Sequence, residues 1–182
     1  MSAVVVAAGL ALACAGGCAA CLVYLDVAST GYSPVRNAVS EYRAGRYGLW
    51  YAIQATLAGV SAACLAIALR HPRQVVILLA ILAIARIAIG WLRVDVRPGR
   101  PTRRGAIHAL LGIVAFITAS WAAIALHQSD HREPLLGWLI AALALLTIIS
   151  LRTPLRPWFG LSERGYYAAT LAWLMVTSAR LV

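Results

Sequence analysis

The polar stretch Trp91–His108 contains the side chains best suited to chemistry in this sequence. It reads WLRVDVRPGRPTRRGAIH and carries five arginines, one aspartate and one histidine between two long apolar runs. A carboxylate that orients an imidazole raises its basicity for proton transfer, and guanidinium groups can hold a phosphate bidentately. Two prolines and a glycine between Asp95 and His108 favour a tight reversal of the chain. We therefore predict that Asp95 and His108 lie within hydrogen-bond reach, directly or through water. The contact is either catalytic or a structural tie between two helices.

Further candidates lie in polar segments that six membrane crossings would place at the same end as this stretch. Glu41 is a third catalytic candidate, because its carboxylate can act in proton transfer or, with Asp95, bind a hard metal ion. No spacing in the chain fixes a metal site, so no metal ligand is predicted and the cofactor is left open. The candidates for substrate binding are Arg36, Ser40, Arg86, Arg93 and Arg164.

Arg86 falls inside the third apolar run. It precedes Leu92 by six residues, which places it about 9 Å below the arginine-rich end at the rise of an α-helix. A charge within a membrane span costs about 2.5–3.5 kcal/mol on insertion scales, unless the side chain reaches the interface or meets a partner. We predict a pairing of Arg86 with Asp95, with Glu41 or with a bound anion, and the alternative is a side chain that only extends to the interface.

Composition places the chain among integral membrane proteins. Of its 182 residues 62% are hydrophobic, and mean hydropathy is +0.81. All 16 basic residues behind the net charge of +10 are arginines, and most of them lie in short loops between apolar runs, which indicates membrane topology and lipid headgroups rather than nucleic acid. A membrane-spanning helix needs about 20 apolar residues. Six runs qualify, at residues 3–25, 47–69, 74–92, 106–126, 135–151 and 166–182. The predicted fold is therefore all-α, a single polytopic domain with a bundle of six transmembrane helices.

The distribution of arginines predicts the orientation of this bundle in the plasma membrane. Six crossings place both termini at one end, together with the second and fourth loops. The opposite end then holds eleven arginines and the terminal end four. Because positively charged loops stay in the cytoplasm, the arginine-rich loops are predicted to be cytoplasmic and both termini outside.

The first loop is predicted to contain a short amphipathic helix that lies in the membrane interface. Ser33 and Pro34 favour a helix start, and Gly45 can end the helix. Four apolar residues then share one stripe: Val35, Ala38, Val39 and Tyr42. The same helix either contacts substrate or only bridges two spans.

The N-terminal run is interpreted as a retained first span, because it lacks the positively charged start of a cleaved signal peptide. Cys14, Cys18 and Cys21 share one face of this helix, with Cys64 on the next span. A small-residue packing face is the favoured interpretation over a redox or metal role, since close helix contacts in membranes prefer small residues.

Two segments carry a resemblance to a known family. They are YSPVRNAVSEYRAGRYGLWYAIQATLAGV and RVDVRPGRPTRRGAIHALLGIVAF. Together they resemble the bacterial membrane family called domain of unknown function 998. Its typical positions fall here on Pro34, Ser40, Gly48, Asp95, Gly99, Pro101, Thr102, Gly105 and His108, with a closing element on Gly160, Leu161 and Arg164. The resemblance covers nearly the whole chain and implies six helices, but it brings no established activity. The chain departs from the pattern at Arg93, where the family often has an apolar residue and threonine before the aspartate.

Three functions follow as hypotheses. The first is a membrane-embedded protein that binds, and in one version chemically processes, an anionic amphiphile such as a phospholipid or an isoprenoid phosphate. The second is a non-catalytic scaffold subunit of a larger membrane complex. A small-solute transporter is disfavoured, because the spans contain almost no charge and no helix-breaking proline. The expected partners are membrane lipid and either further copies of the chain or other subunits, without nucleic acid.

Overall fold

The computed structural model describes residues 2–28, 31–95, 102–130, 134–151 and 153–182. This part of the chain is helical throughout, with short turns between the helices. The six α-helices are α1 Ala3–Val27, α2 Gly48–Leu69, α3 Arg73–Trp91, α4 Arg103–Asp130, α5 Pro134–Ser150 and α6 Phe159–Ala179. Two short 3-10 helices, Val39–Ala44 and Arg156–Trp158, precede α2 and α6.

The helices form a closed ring in chain order. Each α-helix packs against the next one, and α1 packs against α6 to close the ring. In addition, α6 touches α2 and α4 across the middle of the bundle. Consecutive helices therefore run in opposite directions. The loop before α2, the end of α3, the start of α4 and the start of α6 all lie at one end of the bundle, which we call the arginine-rich end.

Small residues allow α1 to lie close to its neighbours. Ala8, Ala11, Ala15 and Cys18 are fully buried and recur every three or four residues, which places them on one face of the helix. Helices in a membrane have no hydrophobic driving force for association, because lipid is as apolar as their side chains. Their association depends instead on close packing, which small side chains allow. The sequence interpretation of Cys18 as part of a packing face agrees with this position, and all four cysteines have free thiols.

The contact between α2 and α3 depends on two glycines. A methyl group added at Gly59 would lie 2.7 Å from the Ala83 carbonyl oxygen. One added at Gly90 would lie 3.1 Å from the Ala52 carbonyl oxygen. The two backbones therefore approach each other more closely than any larger residue permits at these positions.

Within the described part of the chain, four helices are long and apolar enough to cross a membrane: α1, α2, α3 and Arg103–Ser129 of α4. The apolar helix α5 is shorter. Large apolar side chains on the outer faces of these helices are exposed, including Leu10, Ile84, Ile117, Trp121 and Trp138. An apolar outer surface is what a protein in contact with lipid requires.

Two helices start more than one residue before the predicted spans. Helix α4 begins at Arg103 rather than residue 106, and α6 begins at Phe159 rather than residue 166. In both cases polar residues continue the helix beyond its apolar run. Hydropathy detects the apolar run only, so it cannot detect these polar first turns.

The predicted amphipathic helix in the first loop is not formed as one α-helix. Residues 34–36 form a turn, and a 3-10 helix follows from Val39 to Ala44. The Asn37 side chain accepts a hydrogen bond from the Ser33 amide at 2.8 Å. Such a side-chain bond to the backbone competes with the backbone hydrogen bonds of an α-helix. Val39 and Tyr42 are buried as the predicted stripe requires, whereas Val35 is exposed.

Candidate functional site

Asp95 and Thr102 join the end of α3 to the start of α4. One carboxylate oxygen of Asp95 accepts a hydrogen bond from the Thr102 amide at 2.7 Å, and the other accepts from the Thr102 hydroxyl at 2.9 Å. The Thr102 hydroxyl oxygen in turn accepts from the Gly105 amide at 3.1 Å, as in a helix N-cap. A carboxylate at this position is also favoured by the partial positive charge of the helix N-terminus. We call this pair the Asp95–Thr102 clip.

The clip explains the spacing of the family positions between α3 and α4. A methyl group added at Gly105 would overlap the Asp95 carboxylate, so only glycine leaves room for it. The motif positions Asp95, Thr102 and Gly105 therefore act together as one structural unit. Gly99 and Pro101, which belong to the same motif, lie outside the described residues.

His108 does not bond to Asp95, contrary to the predicted direct contact. Both Asp95 oxygens are used by Thr102, and the imidazole instead lies beside the backbone of Leu92. The side chain is 5% exposed, and its Nδ1 atom has no hydrogen-bond partner among the described residues. His108 thus packs between the start of α4 and the end of α3 beside the clip, within electrostatic range of Asp95.

A second polar cluster joins the first loop to α6 through Arg164. The Arg164 Nε atom donates to both carboxylate oxygens of Asp26, at 2.9 and 3.0 Å. Its Nη1 atom donates to the backbone oxygens of Asn37 and Gly160, and its Nη2 atom donates to the Tyr42 hydroxyl at 3.0 Å. All three guanidinium nitrogens of this substrate-binding candidate are therefore engaged within the protein.

The first turn of α6 continues this contact through its backbone and through Glu163. The Leu161 amide donates to the Val35 oxygen at 3.1 Å, and the Val39 amide donates to the Glu163 carboxylate at 2.7 Å. A methyl group at Gly160 would lie 2.5 Å from the Asn37 oxygen. The family element at Gly160, Leu161 and Arg164 is thus the surface on which the first loop packs.

Glu163 precedes the apolar part of α6 and is 5% exposed. Burial raises the pKa of its carboxyl to about 7 from the ordinary 4.5, although the Val39 amide and the nearby arginines act in the opposite direction. This carboxyl consequently changes charge near neutral pH.

The remaining first-loop candidates lie on the same segment. Glu41 accepts hydrogen bonds from the Asn37 side chain at 2.7 Å and from the Ala38 amide at 3.2 Å. Ser40 is partly buried, and Arg36 is exposed. The Glu41 carboxylate is thus occupied by local contacts within its own loop.

Arg86 is buried in the bundle among neutral partners. It is 5% exposed, and its Nη1 atom donates to the Tyr167 hydroxyl at 2.8 Å. Its Nη2 atom donates to the Gln54 side-chain oxygen at 3.2 Å, and its Cζ atom lies 4.8 Å from the centre of the Tyr167 ring. The predicted pairing with Asp95 or Glu41 is wrong, because those carboxylates bond to Thr102 and to Asn37 and Ala38. A pairing with a bound anion stays a prediction.

A small cavity adjoins Arg86 between α1, α2, α3 and α6. Its volume is about 20 Å³, room for about one water molecule. Its polar lining includes Cys18, Arg86, Tyr166, Tyr167 and Thr170, and the rest of the lining is apolar. A lipid headgroup cannot enter a space of this size.

Exposed arginines flank the Asp95–Thr102 clip in the sequence. Arg93 lies two residues before Asp95, and Arg103 and Arg104 follow Thr102 directly. All three side chains are exposed. The clip joins the end of α3, which is followed by Arg93, to the start of α4, which carries Arg103 and Arg104.

The predicted site residues consequently fall into three groups instead of one pocket. Asp95, His108 and Arg93 lie at the α3–α4 connection, Glu41 and Arg164 lie in the first-loop cluster, and Arg86 lies in the bundle. The sequence did not predict the bonds of Arg86 to Gln54 and Tyr167, or those that Asp26, Tyr42 and Glu163 form in the first-loop cluster. Gln54 carried a signal of its own, as an isolated amide within an apolar run.

The fold and these clusters define an all-helical membrane protein with an arginine-rich end. The family model described as "Protein of unknown function (DUF998)" matches residues 3–180, so the chain belongs to this family, as the motifs indicated. Among curated proteins and among solved structures, no match was found.

Proposed function

We propose that the chain is a six-span plasma-membrane protein that binds an anionic amphiphile, a phospholipid or an isoprenoid phosphate, at its arginine-rich end. In this proposal that end faces the cytoplasm and both termini lie outside, because eleven of the sixteen arginines belong to its loops. The antiparallel ring of six helices is compatible with six crossings. The interfacial placement of the first loop is part of the same proposal.

The observation that carries the proposal is the group of exposed arginines around the Asp95–Thr102 clip. Arg93, Arg103 and Arg104 are exposed, and the clip holds the two helix ends that bear them together. Guanidinium groups bind phosphate oxygens bidentately, and lipid headgroups lie at the membrane surface, where loops between spans are found. Arg86 is assigned no part in amphiphile binding, since the cavity beside it is too small for a headgroup.

Binding is better supported than chemical processing. Proton transfer needs a carboxylate or imidazole that can reach the substrate. Asp95 is exposed, but both of its oxygens accept hydrogen bonds from Thr102; Glu41 accepts hydrogen bonds within its own loop, and His108 is buried. The proposed protein therefore binds its amphiphile without a covalent step.

Native mass spectrometry of the purified protein tests the proposal with phosphatidylglycerol and phosphatidylcholine as probes. The informative variant is Arg103→Gln with Arg104→Gln, and the matched control is Arg70→Gln with Arg73→Gln at the other end, where both arginines are also exposed. Each guanidinium near an anionic surface contributes about 1 kcal/mol, so we expect the informative variant to lose on the order of tenfold in phosphatidylglycerol affinity. Equal affinities of the two variants would refute the proposal.

The orientation has its own test. Single cysteines at Gln128 and at Arg156, in a background without the four native cysteines, report on opposite ends of the bundle. A membrane-impermeant maleimide added to intact cells should label Gln128→Cys and not Arg156→Cys. The reverse labelling pattern would invert the proposed topology.

A scaffold role is the second candidate function. It is favoured by the internal bonding of Asp95, Glu41 and Arg164, because side chains tied inside a protein stabilise its fold rather than bind a ligand. In this case the same mass spectra show no preference for phosphatidylglycerol, and a complex with a second protein chain is retained on mild extraction.

A further inference from the structure

We infer that the cavity beside Arg86 is a binding site for a small monoatomic anion, chloride in the simplest case. This site is separate from the surface arginines proposed to bind an amphiphile. It lies in the bundle between α1, α2, α3 and α6 and is lined by one cationic side chain and several neutral ones. Three features support this site: the charge of Arg86, the hydrogen-bond donors among the lining residues and the size of the cavity.

The charge of Arg86 needs compensation. A guanidinium stays protonated in proteins, and its charge is costly inside a membrane. The partners it contacts, the Tyr167 hydroxyl and the Gln54 oxygen, are both neutral. They satisfy hydrogen bonds, but they supply no negative charge.

The described carboxylates are engaged elsewhere. Asp26 bonds to Arg164, Glu41 to Asn37 and Ala38, and Asp95 to Thr102. Glu163 is the carboxyl group nearest in sequence to Tyr167, one helical turn away, and its hydrogen bond comes from the Val39 amide. Glu163 is therefore the competing source of negative charge, and the experiment must separate it from a bound anion.

The polar groups around the cavity can donate hydrogen bonds. The Tyr167 hydroxyl oxygen accepts from Arg86, so its own hydrogen remains available as a donor. In the same way Cys18 accepts from the Gln54 amide at 3.1 Å and keeps its thiol hydrogen. Donors beside a fixed positive charge, in surroundings of low dielectric, favour an anion over a neutral guest.

The size of the cavity selects the class of anion. A volume of about 20 Å³ admits one water-sized particle. Monoatomic halides come closest to this size among common anions, whereas phosphate, sulfate and carboxylates have several heavy atoms and are larger. The walls contributed by Ala58, Leu82, Leu171 and Leu174 are apolar and offer no acceptors.

Thermal unfolding of the purified protein in detergent tests the inference, with sodium chloride, bromide, sulfate and gluconate compared at constant ionic strength. We expect a saturable rise of the melting temperature with chloride and bromide only. Tyr167→Phe keeps the ring under Arg86 and removes the hydroxyl donor, so it should weaken the apparent chloride affinity about tenfold. Arg73→Met, an exposed position on the same helix, should leave that affinity unchanged.

Two further variants separate the sources of negative charge. Gln54→Glu places a carboxylate on Arg86 and should abolish the chloride response while the protein stays folded. Glu163→Gln should retain or strengthen the response. A response that appears only in Glu163→Gln would identify Glu163 as the partner of Arg86 and overturn the inference. Identical melting temperatures in chloride and gluconate for the wild type would also overturn it.

Discussion

Arg164 and Asp26, 138 positions apart in the sequence, form a two-point ion pair that joins the start of α6 to the end of α1. The Arg164 Nη2 atom also lies 2.8 Å from the same carboxylate, and the pair is mostly shielded from solvent, with 13% and 27% of the side chains exposed. Because α1 and α6 are the first and last helices of the ring, this ion pair closes it. The Tyr42 hydroxyl donates to Asp26 at 3.0 Å and attaches the first loop to the same point.

Replacement of Arg164 by lysine should weaken this contact between α1 and α6. Lysine keeps the charge but cannot donate in the planar fork that reaches Asp26, Asn37 and Tyr42 together. We expect Arg164→Lys to lower the free energy of unfolding by about 2 kcal/mol, measured by thermal or denaturant unfolding in mild detergent. Arg156→Lys, at an exposed position of the same end, serves as the control and should be neutral. Equal stability of the two variants would show that the ion pair does not hold the ring closed.

Gln54 should contribute to stability through its contact with Arg86. Gln54→Leu preserves volume and removes the oxygen that accepts from the Arg86 Nη2 atom, which leaves a charged donor buried without that partner. We expect a loss of about 1–3 kcal/mol in the free energy of unfolding. Gln74→Leu, at an exposed position in the first turn of α3, is the control and should have little effect. If the two variants unfold alike, the contact between Gln54 and Arg86 is of no consequence.

The sequence was sufficient to predict the helices, because an apolar run about 20 residues long has few alternatives in a membrane. It was not sufficient for the polar first turns of α4 and α6. The first turn of α4 depends on the Asp95–Thr102 clip, which hydropathy does not detect, and that of α6 depends on the long-range hydrogen bond from Leu161 to Val35.

The candidate site, too, could be predicted from the sequence only in part. The motif residues were recognised, but their roles depended on contacts across the bundle. Arg86 was expected to find an acidic residue at its own end, yet it bonds to Gln54 and Tyr167, 32 and 81 positions away. The first loop was expected to be one helix because its start and stop signals are strong. The Val35 and Asn37 carbonyls instead accept hydrogen bonds from α6, and a regular helix would use them itself.

Gly105 provides a direct test of the Asp95–Thr102 clip. A methyl group at this position overlaps the Asp95 carboxylate, so Gly105→Ala should displace Asp95 and release Thr102. We expect a loss of about 1–2 kcal/mol, even though alanine is the better helix former. Gly112→Ala on the same helix is the matched control, because its methyl group would lie 3.7 Å from the Ile89 side chain, an ordinary contact. That variant should be neutral or more stable. A Gly105→Ala protein as stable as the wild type would mean that the clip contributes nothing.

Glu163 should make the stability of the protein depend on pH. Its carboxyl has a pKa of about 7 in the folded protein, raised by burial from the ordinary 4.5. The folded state therefore holds this proton more tightly than the unfolded state does. The resulting stabilisation is complete below pH 4.5 and is lost as the pH rises through 7.

The measurement is a series of melting temperatures between pH 5 and pH 8 for the wild type and for Glu163→Gln. Glutamine cannot titrate, and its side-chain oxygen can still accept from the Val39 amide, so its curve should lack the decline seen in the wild type. Glu41→Gln is the control, since Glu41 lies on the partly exposed loop, and it should retain the decline. If the wild type and Glu163→Gln follow parallel curves over this interval, Glu163 does not release a proton there and remains in one charge state throughout.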